Sequence, residues 1–324
     1  MTAPTGPLEM KIIKAEALKP GDRVGLACPA SRPESTATLS RCVKVVEELG
    51  FQPVVGESVL KIQGFMAGSG PERAADLNRF IEDDSIKAIF CLTGGYGSLH
   101  VLPFLNYRKL ASTPKLISGC DDNTSLINAI YSQTGLVCFH APNVDQIKTK
   151  FTFDRFRNMV TGSEETQSFS TREACPDVVG GGDHYVPVNG TCEGTLIGGN
   201  LTALVSLLGT KFEPSFENSL IFLEDKNEQN GILDRWFTTL YIAGHLQSAS
   251  GVAFGYFENC NPKQSLNMLS IVDTFGDRLK ELAKPSCFGF PFGQGSDTLG
   301  VPIGVRARIN CQAGTIEVLE RPLA

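Results

Sequence analysis

Ile86-Lys87-Ala88-Ile89-Phe90-Cys91-Leu92 runs into Thr93-Gly94-Gly95-Tyr96-Gly97, and Lys115-Leu116-Ile117-Ser118-Gly119-Cys120 runs into Asp121-Asp122-Asn123-Thr124. Both are short, nearly continuous apolar runs closed by turn residues, which is how a strand buried on both faces reads. Working outward, Val24–Cys28 and Phe51–Val55 are further strands, and Leu136–Phe139 is another. Between them lie amphipathic segments. One carries Leu39, Cys42, Val46 and Leu49 and stops at Gly50, a residue suited to the left-handed C′ position. A second starts at Pro71, whose missing N–H costs nothing in a first turn, and buries Leu77, Phe80 and Ile81. Strand alternating with helix implies right-handed βαβ crossovers and a parallel sheet. Such sheets bind ligands beyond the carboxyl ends of their strands, where the two turns quoted above fall.

The fold class expected is α/β. A tail over 1–22 precedes a parallel-sheet N-terminal domain over 23–160, and an inter-domain linker occupies 161–190, rich in Ser, Thr and Glu with the run Gly180-Gly181-Gly182. A mixed α+β C-terminal domain follows over 191–324, with the active-site cleft between the two domains. Its expected elements are a helix at Asn200–Leu208, a strand at Leu220–Glu224, a helix at about Leu233–Leu246 and a strand near Val252–Tyr256. Val305–Cys311 and Thr315–Leu319 alternate around Gln312-Ala313-Gly314 and predict a hairpin.

Composition narrows the function. The 324 residues carry 29 Lys+Arg against 35 Asp+Glu, a formal charge of −6, with 42% hydrophobic and 20% charged residues, the mix of an ordinary folded domain. The acidic balance argues against a nucleic-acid or anionic-membrane partner, which would need clustered Lys and Arg. No apolar run approaches the ~20 residues of a membrane span, and the start has no basic stretch followed by an apolar one. The ten cysteines include no C-x-x-C pair and read as reduced thiols, so a cytoplasmic location is expected. The sequons at Asn123, Asn189 and Asn200 carry no weight without a secretion signal.

Three strand-end turns could carry chemistry. Gly94 and Gly95 would let backbone N–H groups approach an anion, although the same glycines also make a plain tight turn. Asp121 and Asp122 sit where a nucleophile elbow would project a side chain, although aspartates there also cap helices. Glu224 and Asp225 end a strand of the second domain. Convergence of Asp121, Asp122 and Glu224 on a divalent cation is conceivable, but no His or Cys spacing supports zinc, and no metal or cofactor is expected.

In order along the chain, these turns resemble the LD-carboxypeptidase family (peptidase family S66), which includes muramoyltetrapeptide carboxypeptidases and microcin C immunity peptidases. The resemblance runs from about Leu18 to Leu319 and rests on Gly94-Gly95-Tyr96-Gly97, on Leu102-Pro103-Phe104-Leu105-Asn106-Tyr107, and on the strand, elbow and helix of Lys115–Tyr131. It continues through Thr134–His140, with Ala141 where the family has glycine, then Gly198-Gly199-Asn200-Leu201, Leu223-Glu224-Asp225 and Asp234-Arg235. Gly289–Gly295 and Val301-Pro302-Ile303-Gly304 complete it. The resemblance implies a serine–histidine–glutamate triad across the domain interface, an oxyanion hole from the amide after the serine and one from the Gly-Gly turn, cleavage of L,D-peptide bonds or related small amides, and a homodimer.

This chain departs from that pattern. Asp121 stands in the serine position, Asp122 carries the oxyanion amide, Gln294 stands in the histidine position, Thr93 replaces an arginine common in the family, and Glu224 alone of the triad remains. A carboxamide takes no proton near neutral pH, and losing one member of such a triad costs about as much as losing all, on the order of a millionfold in turnover. The expected function is therefore a divergent LD-carboxypeptidase-like protein acting on a small peptide or amino-acid-derived ligand, with serine peptidase activity lost. The alternatives are a non-catalytic ligand-binding pseudoenzyme and an unmodified LD-carboxypeptidase. Asp121 could also serve as a carboxylate acid/base or nucleophile in altered chemistry. Cys120, one residue before the elbow apex, should point away from the cleft, and His140 is either a base near the crevice or a structural residue.

Overall fold

The computed structural model describes residues 11–163, 167–173, 184–260 and 269–324, so Cys175 and Gly180–Gly182 lie outside the described residues. Two sheets organise the chain. The first is built from β1 (Arg23–Ala27), β2 (Gln52–Val55), β3 (Ile86–Cys91), β4 (Leu116–Gly119) and β5 (Cys138–His140), all parallel, with the crossover helices α1 (Thr36–Glu48), α2 (Gly70–Glu82), α3 (Tyr107–Ser112) and α4 (Thr124–Thr134) between them. Gly25 has no room for a Cβ because the Phe80 ring of α2 packs on β1 there. Helix α5 (Lys150–Thr161) then leads out of this unit, ending at Gly162 in the left-handed region.

The second sheet holds β6 (Ser168–Ser170), β7 (Tyr185–Val188), β8 (Thr191–Asn200), β9 (Ser219–Lys226), β10 (Gly251–Glu258) and β11 (Ser286–Phe288), plus the closing hairpin. Strands β8–β11 are parallel, with α6 (Leu201–Val205), α7 (Asn230–Ile242), α8 (His245–Ser248) and α9 (Ile271–Leu282) in their connections. Strand β12 (Val301–Ile303) leaves this sheet and pairs antiparallel with β5, so the first sheet runs β12-β5-β4-β3-β1-β2. Strands β13 (Arg306–Asn310) and β14 (Thr315–Val318) form the expected hairpin, joined through Asn310 opposite Thr315.

Several expectations need correcting. The 161–190 segment is not only a connection: β6 pairs with β14 and β7 with β11, at opposite edges of the second sheet. Three-residue and half-exposed edge strands lack the apolar run that marks a central strand. Residues 11–22 are not a loose tail, since Ile13 bridges Leu136, Leu18 N–H donates to the Val160 carbonyl, and Ala15 and Leu18 are buried. The 233–246 helix breaks at Gly244, which takes a positive φ of 83° between α7 and α8. The 200–208 helix is only α6, with Asn200 as its N-cap.

One buried side chain fixes the loops at the carboxyl edge of the first sheet. Arg73 of α2 is almost fully buried and donates to the carbonyls of Pro29, Gly97 (2.8 Å) and Gly68 (3.2 Å), tying the ends of β1 and β3 to α2. Removing one partner of a buried charge leaves the others unsatisfied, which costs about 3 kcal/mol. Arg73→Met should therefore lower unfolding stability by about 3 kcal/mol in urea titrations. An unchanged midpoint would show that these carbonyls find other donors.

Candidate active site

The site lies where the carboxyl ends of β3, β4 and β5 face those of β8 and β9. The turn after β4 puts Asp121 at φ 60°, a left-handed conformation that non-glycine residues rarely adopt. Its side chain caps no helix. Instead Oδ2 accepts the Gly95 N–H at 2.6 Å, and Oδ1 accepts the Gln294 Nε2 amide at 3.2 Å. The approach requires glycine: a Cβ on Gly94 would lie 2.2 Å from Asp121 Oδ2, and one on Gly95 would lie 2.2 Å from Ser31 Oγ. Asp122 turns the other way. Its Oδ2 accepts the Ser98 N–H at 2.7 Å while Ser98 Oγ donates to its carbonyl at 2.6 Å, so this second aspartate locks the Gly-rich turn to the elbow. Thr93 serves the same turn, donating to the Ser31 carbonyl at 2.6 Å.

Glu224 ends β9 beneath this pair, fully buried and against Gly293 of the loop that carries Gln294. His140, at the end of β5, places Nε2 3.4 Å from Glu224 Oε1. Neither ring nitrogen of His140 has a hydrogen-bond partner among the described residues, and the same holds for both Glu224 oxygens. Burial pushes His140 down to about 4 and Glu224 well above the usual carboxyl range; the Asp225 charge raises Glu224 further. Burial favours the neutral form of each. Asp121 follows the same logic: burial, with the charges of Glu224, Asp122 and Asp225, pushes it up to about 7 against the downward pull of the Gly95 N–H.

The structure thus brings Asp121, Gln294 and the Gly94-Gly95 turn together at one crevice, with Glu224 and His140 fully buried behind them and Asp122 on the wall of one lobe. Cys120 points away, as expected, donating its thiol to Gln146 Oε1 at 2.9 Å, and burial pushes that thiol far up. No group of His, Cys, Asp and Glu among the described residues is arranged to hold a metal ion.

Sequence reasoning missed the residues that hold the elbow from behind. Asn143 Oδ1 accepts both the Cys120 N–H and the Asn123 Nδ2 amide at 3.1 Å, and Asn123 also donates to the Thr93 carbonyl at 3.0 Å. The N-x-x-Q capping box of Asn143 and Gln146 was the available signal. Asp225, expected at the end of a strand, is buried and accepts from Asn200 Nδ2 (3.0 Å) and from the Thr202 hydroxyl (2.8 Å) and N–H (3.1 Å).

Two cavities meet at Gly95 and Asp121. The smaller, about 230 Å³, is walled by Tyr96, Asp122, Asn200, Thr202, Ser206 and Asp225. The larger, about 410 Å³, runs past Thr93 and Gln294 to Arg32, Arg41 and Lys148. A ligand spanning both would cross the Asp121 carboxyl.

The two-domain α/β fold, with the turn after β4 on one sheet facing a carboxylate on the other, is the fold shared with its solved structural neighbours. The family models for the LD-carboxypeptidase N-terminal and C-terminal domains match residues 24–141 and 193–309, and the chain belongs to the LD-carboxypeptidase family. The probable murein peptide carboxypeptidase of Bacillus subtilis is 34% identical over 302 residues, covering 92% of this chain and 91% of that one. The microcin C7 self-immunity protein MccF of Escherichia coli is 26% identical, covering 96% of each chain. The solved structure of MccF in complex with aspartyl sulfamoyl adenosine has the same fold, with a TM-score of 0.85 at 24% identity over 96% of this chain and 100% of that one.

The Asp121 proton has a consequence for stability. An unfolded aspartate releases its proton near pH ~4, whereas the folded chain holds it up to about 7. The folded state therefore binds the extra proton between those values, and stability falls as pH rises through them. Asp121→Asn removes the titration, so the variant should melt above the wild type at pH 8 while the two converge below pH ~4. Thermal unfolding across that range checks it, and parallel wild-type and variant curves would contradict the burial argument.

Proposed function

We propose that this chain is an LD-carboxypeptidase-family protein that has given up serine-type hydrolysis and uses the cleft to bind a small peptide or amino-acid-derived ligand. The observation that carries the reading is the Asp121 carboxyl seated on the Gly95 N–H at 2.6 Å. In acyl transfer that donor would meet the developing oxyanion; here a permanent oxygen of the protein fills the place. The partner on the other side, Gln294, is a carboxamide that donates to Asp121 and takes no proton from a nucleophile. His140 offers no replacement, because its ring nitrogens hydrogen-bond no hydroxyl or thiol among the described residues and burial holds its pKa near about 4.

Two cavities open on either side of Asp121 and leave room for a small ligand, which supports binding. The relatives' names point to ligands of this size: murein peptides for one, an aminoacyl sulfamoyl nucleoside for the MccF complex. A second reading is favoured by one fact: a carboxyl at about 7 can gain or lose a proton near neutrality, so Asp121 is poised as an acid/base for altered chemistry. We also assign the chain to the cytoplasm as a homodimer. The location accords with the nine described cysteines being free and mostly buried, and no described helix is long and apolar enough to cross a membrane.

The test is release of D-alanine from an L,D-tetrapeptide. Wild-type protein should release none above background, while Asp121→Ser combined with Gln294→His should create turnover, because Glu224 already lies under that loop. Clear wild-type turnover abolished by Asp121→Ala would refute the reading. Conversion of any member of a metabolite panel, lost in Asp121→Asn, would select the acid/base alternative.

A further inference from the structure

We propose that Arg41 and Lys148 form an anion subsite on the ridge between the cleft and a neighbouring groove, receiving a carboxylate or phosphate carried by the ligand; this rests on the ligand-binding reading above. The two side chains belong to both spaces. They end the 410 Å³ lobe that begins at Asp121, and they also line a groove of about 670 Å³ whose apolar wall is Val45, Ile147 and Phe153. Arg32 stands with them on the cleft side.

Neither Arg41, Lys148 nor Arg32 is ion-paired among the described residues. Arg41 reaches only the Asp145 backbone carbonyl, at 3.4 Å. Other cations near these spaces have carboxylate partners: Lys226 pairs with Glu258 at 2.7 Å, and Lys150 and Arg157 share Asp154. In a chain of net charge −6, three cations without an ion pair among the described residues converge on one cavity end, a placement that suits an anion.

The carboxylates facing them are Glu34, Asp145 and Asp121 on the cleft side and Glu48 and Asp154 on the groove side, where Lys150 and Arg157 also stand. Burial pushes Asp145 up to about 6, with Lys148 and Arg41 opposing, and Asp121 up to about 7, with Glu224, Asp122 and Asp225 adding to it. At pH 6 the cations therefore outweigh the ionised carboxylates, and anion affinity should weaken as pH rises past 7. The position also sets the ligand's shape. Its anion lies away from Asp121, and an apolar portion beyond it would rest on Val45, Ile147 and Phe153.

Three probes test this by calorimetric titration of the full chain at pH 6 and low salt: N-acetyl-L-alanyl-D-alanine, its C-terminal carboxamide, and inorganic phosphate. The free-acid dipeptide should bind at least tenfold tighter than the amide, and raising salt should shrink the difference. Arg41→Glu with Lys148→Glu, both exposed positions, should erase that preference with an unchanged melting temperature. Phosphate binding that the same exchange abolishes, with no preference for the free acid, would identify a phosphorylated ligand. Equal binding of acid and amide without phosphate binding, or a preference that survives charge reversal, overturns the subsite. In that case amide binding leaves the cleft reading standing, whereas a wild-type chain that binds none of the three overturns both.

Discussion

The carboxyl group of Asp121 is the point on which the site depends. It is held by a backbone N–H from the Gly94-Gly95 turn on one side and by the Gln294 carboxamide on the other, so one side chain joins the two halves of the molecule. Two neutral donors compensate part of its charge. Burial and three neighbouring carboxyls oppose ionisation, and the balance leaves the proton near neutrality. A left-handed backbone at Asp121 aims that oxygen at the Gly95 N–H.

That geometry requires the two sheets to be locked in register, and the lock is built from polar contacts of α4. Asn128 donates to the Gly198 carbonyl at 2.9 Å, Thr124 Oγ1 accepts the Asn200 N–H at 3.0 Å, and Ser125 donates to the Ala203 carbonyl at 2.9 Å. Strand β12 adds a covalent return, carrying the chain from the Gln294 loop back to the edge of the first sheet beside His140. The helix that starts at the elbow is therefore also the helix that grips the second unit, and a shift in either would move Asp121 relative to Gln294.

Asp121 and Gln294 are held within a frame of buried polar contacts. Asn143, Asn123 and Thr93 hold the elbow and turn from behind, and Asp225 organises Asn200 and Thr202. The proton chemistry at the centre follows from the two groups that meet there, Asp121 and Gln294. Imidazole and hydroxyl form a pair that passes a proton; carboxyl and carboxamide form a pair that holds one.

Much of this was legible in the sequence. Buried parallel strands write themselves as short apolar runs, so β1 to β4 and β9 are found within a residue or two, and the hairpin of β13 and β14 alternates with period two. Ordered turn motifs showed the family and placed Asp121, Glu224 and Gln294 as candidates. Edge strands β6, β7 and β12 were invisible, because pairing at an edge needs no apolar run and depends on a partner far away in the chain. The sequence by itself determined which chemical groups are available: a carboxyl and a carboxamide where a hydroxyl and an imidazole would be needed. Only the tertiary structure decided what they do, since desolvation and the direction of the Gly95 N–H are properties of the packed interior, which no local stretch of chain contains.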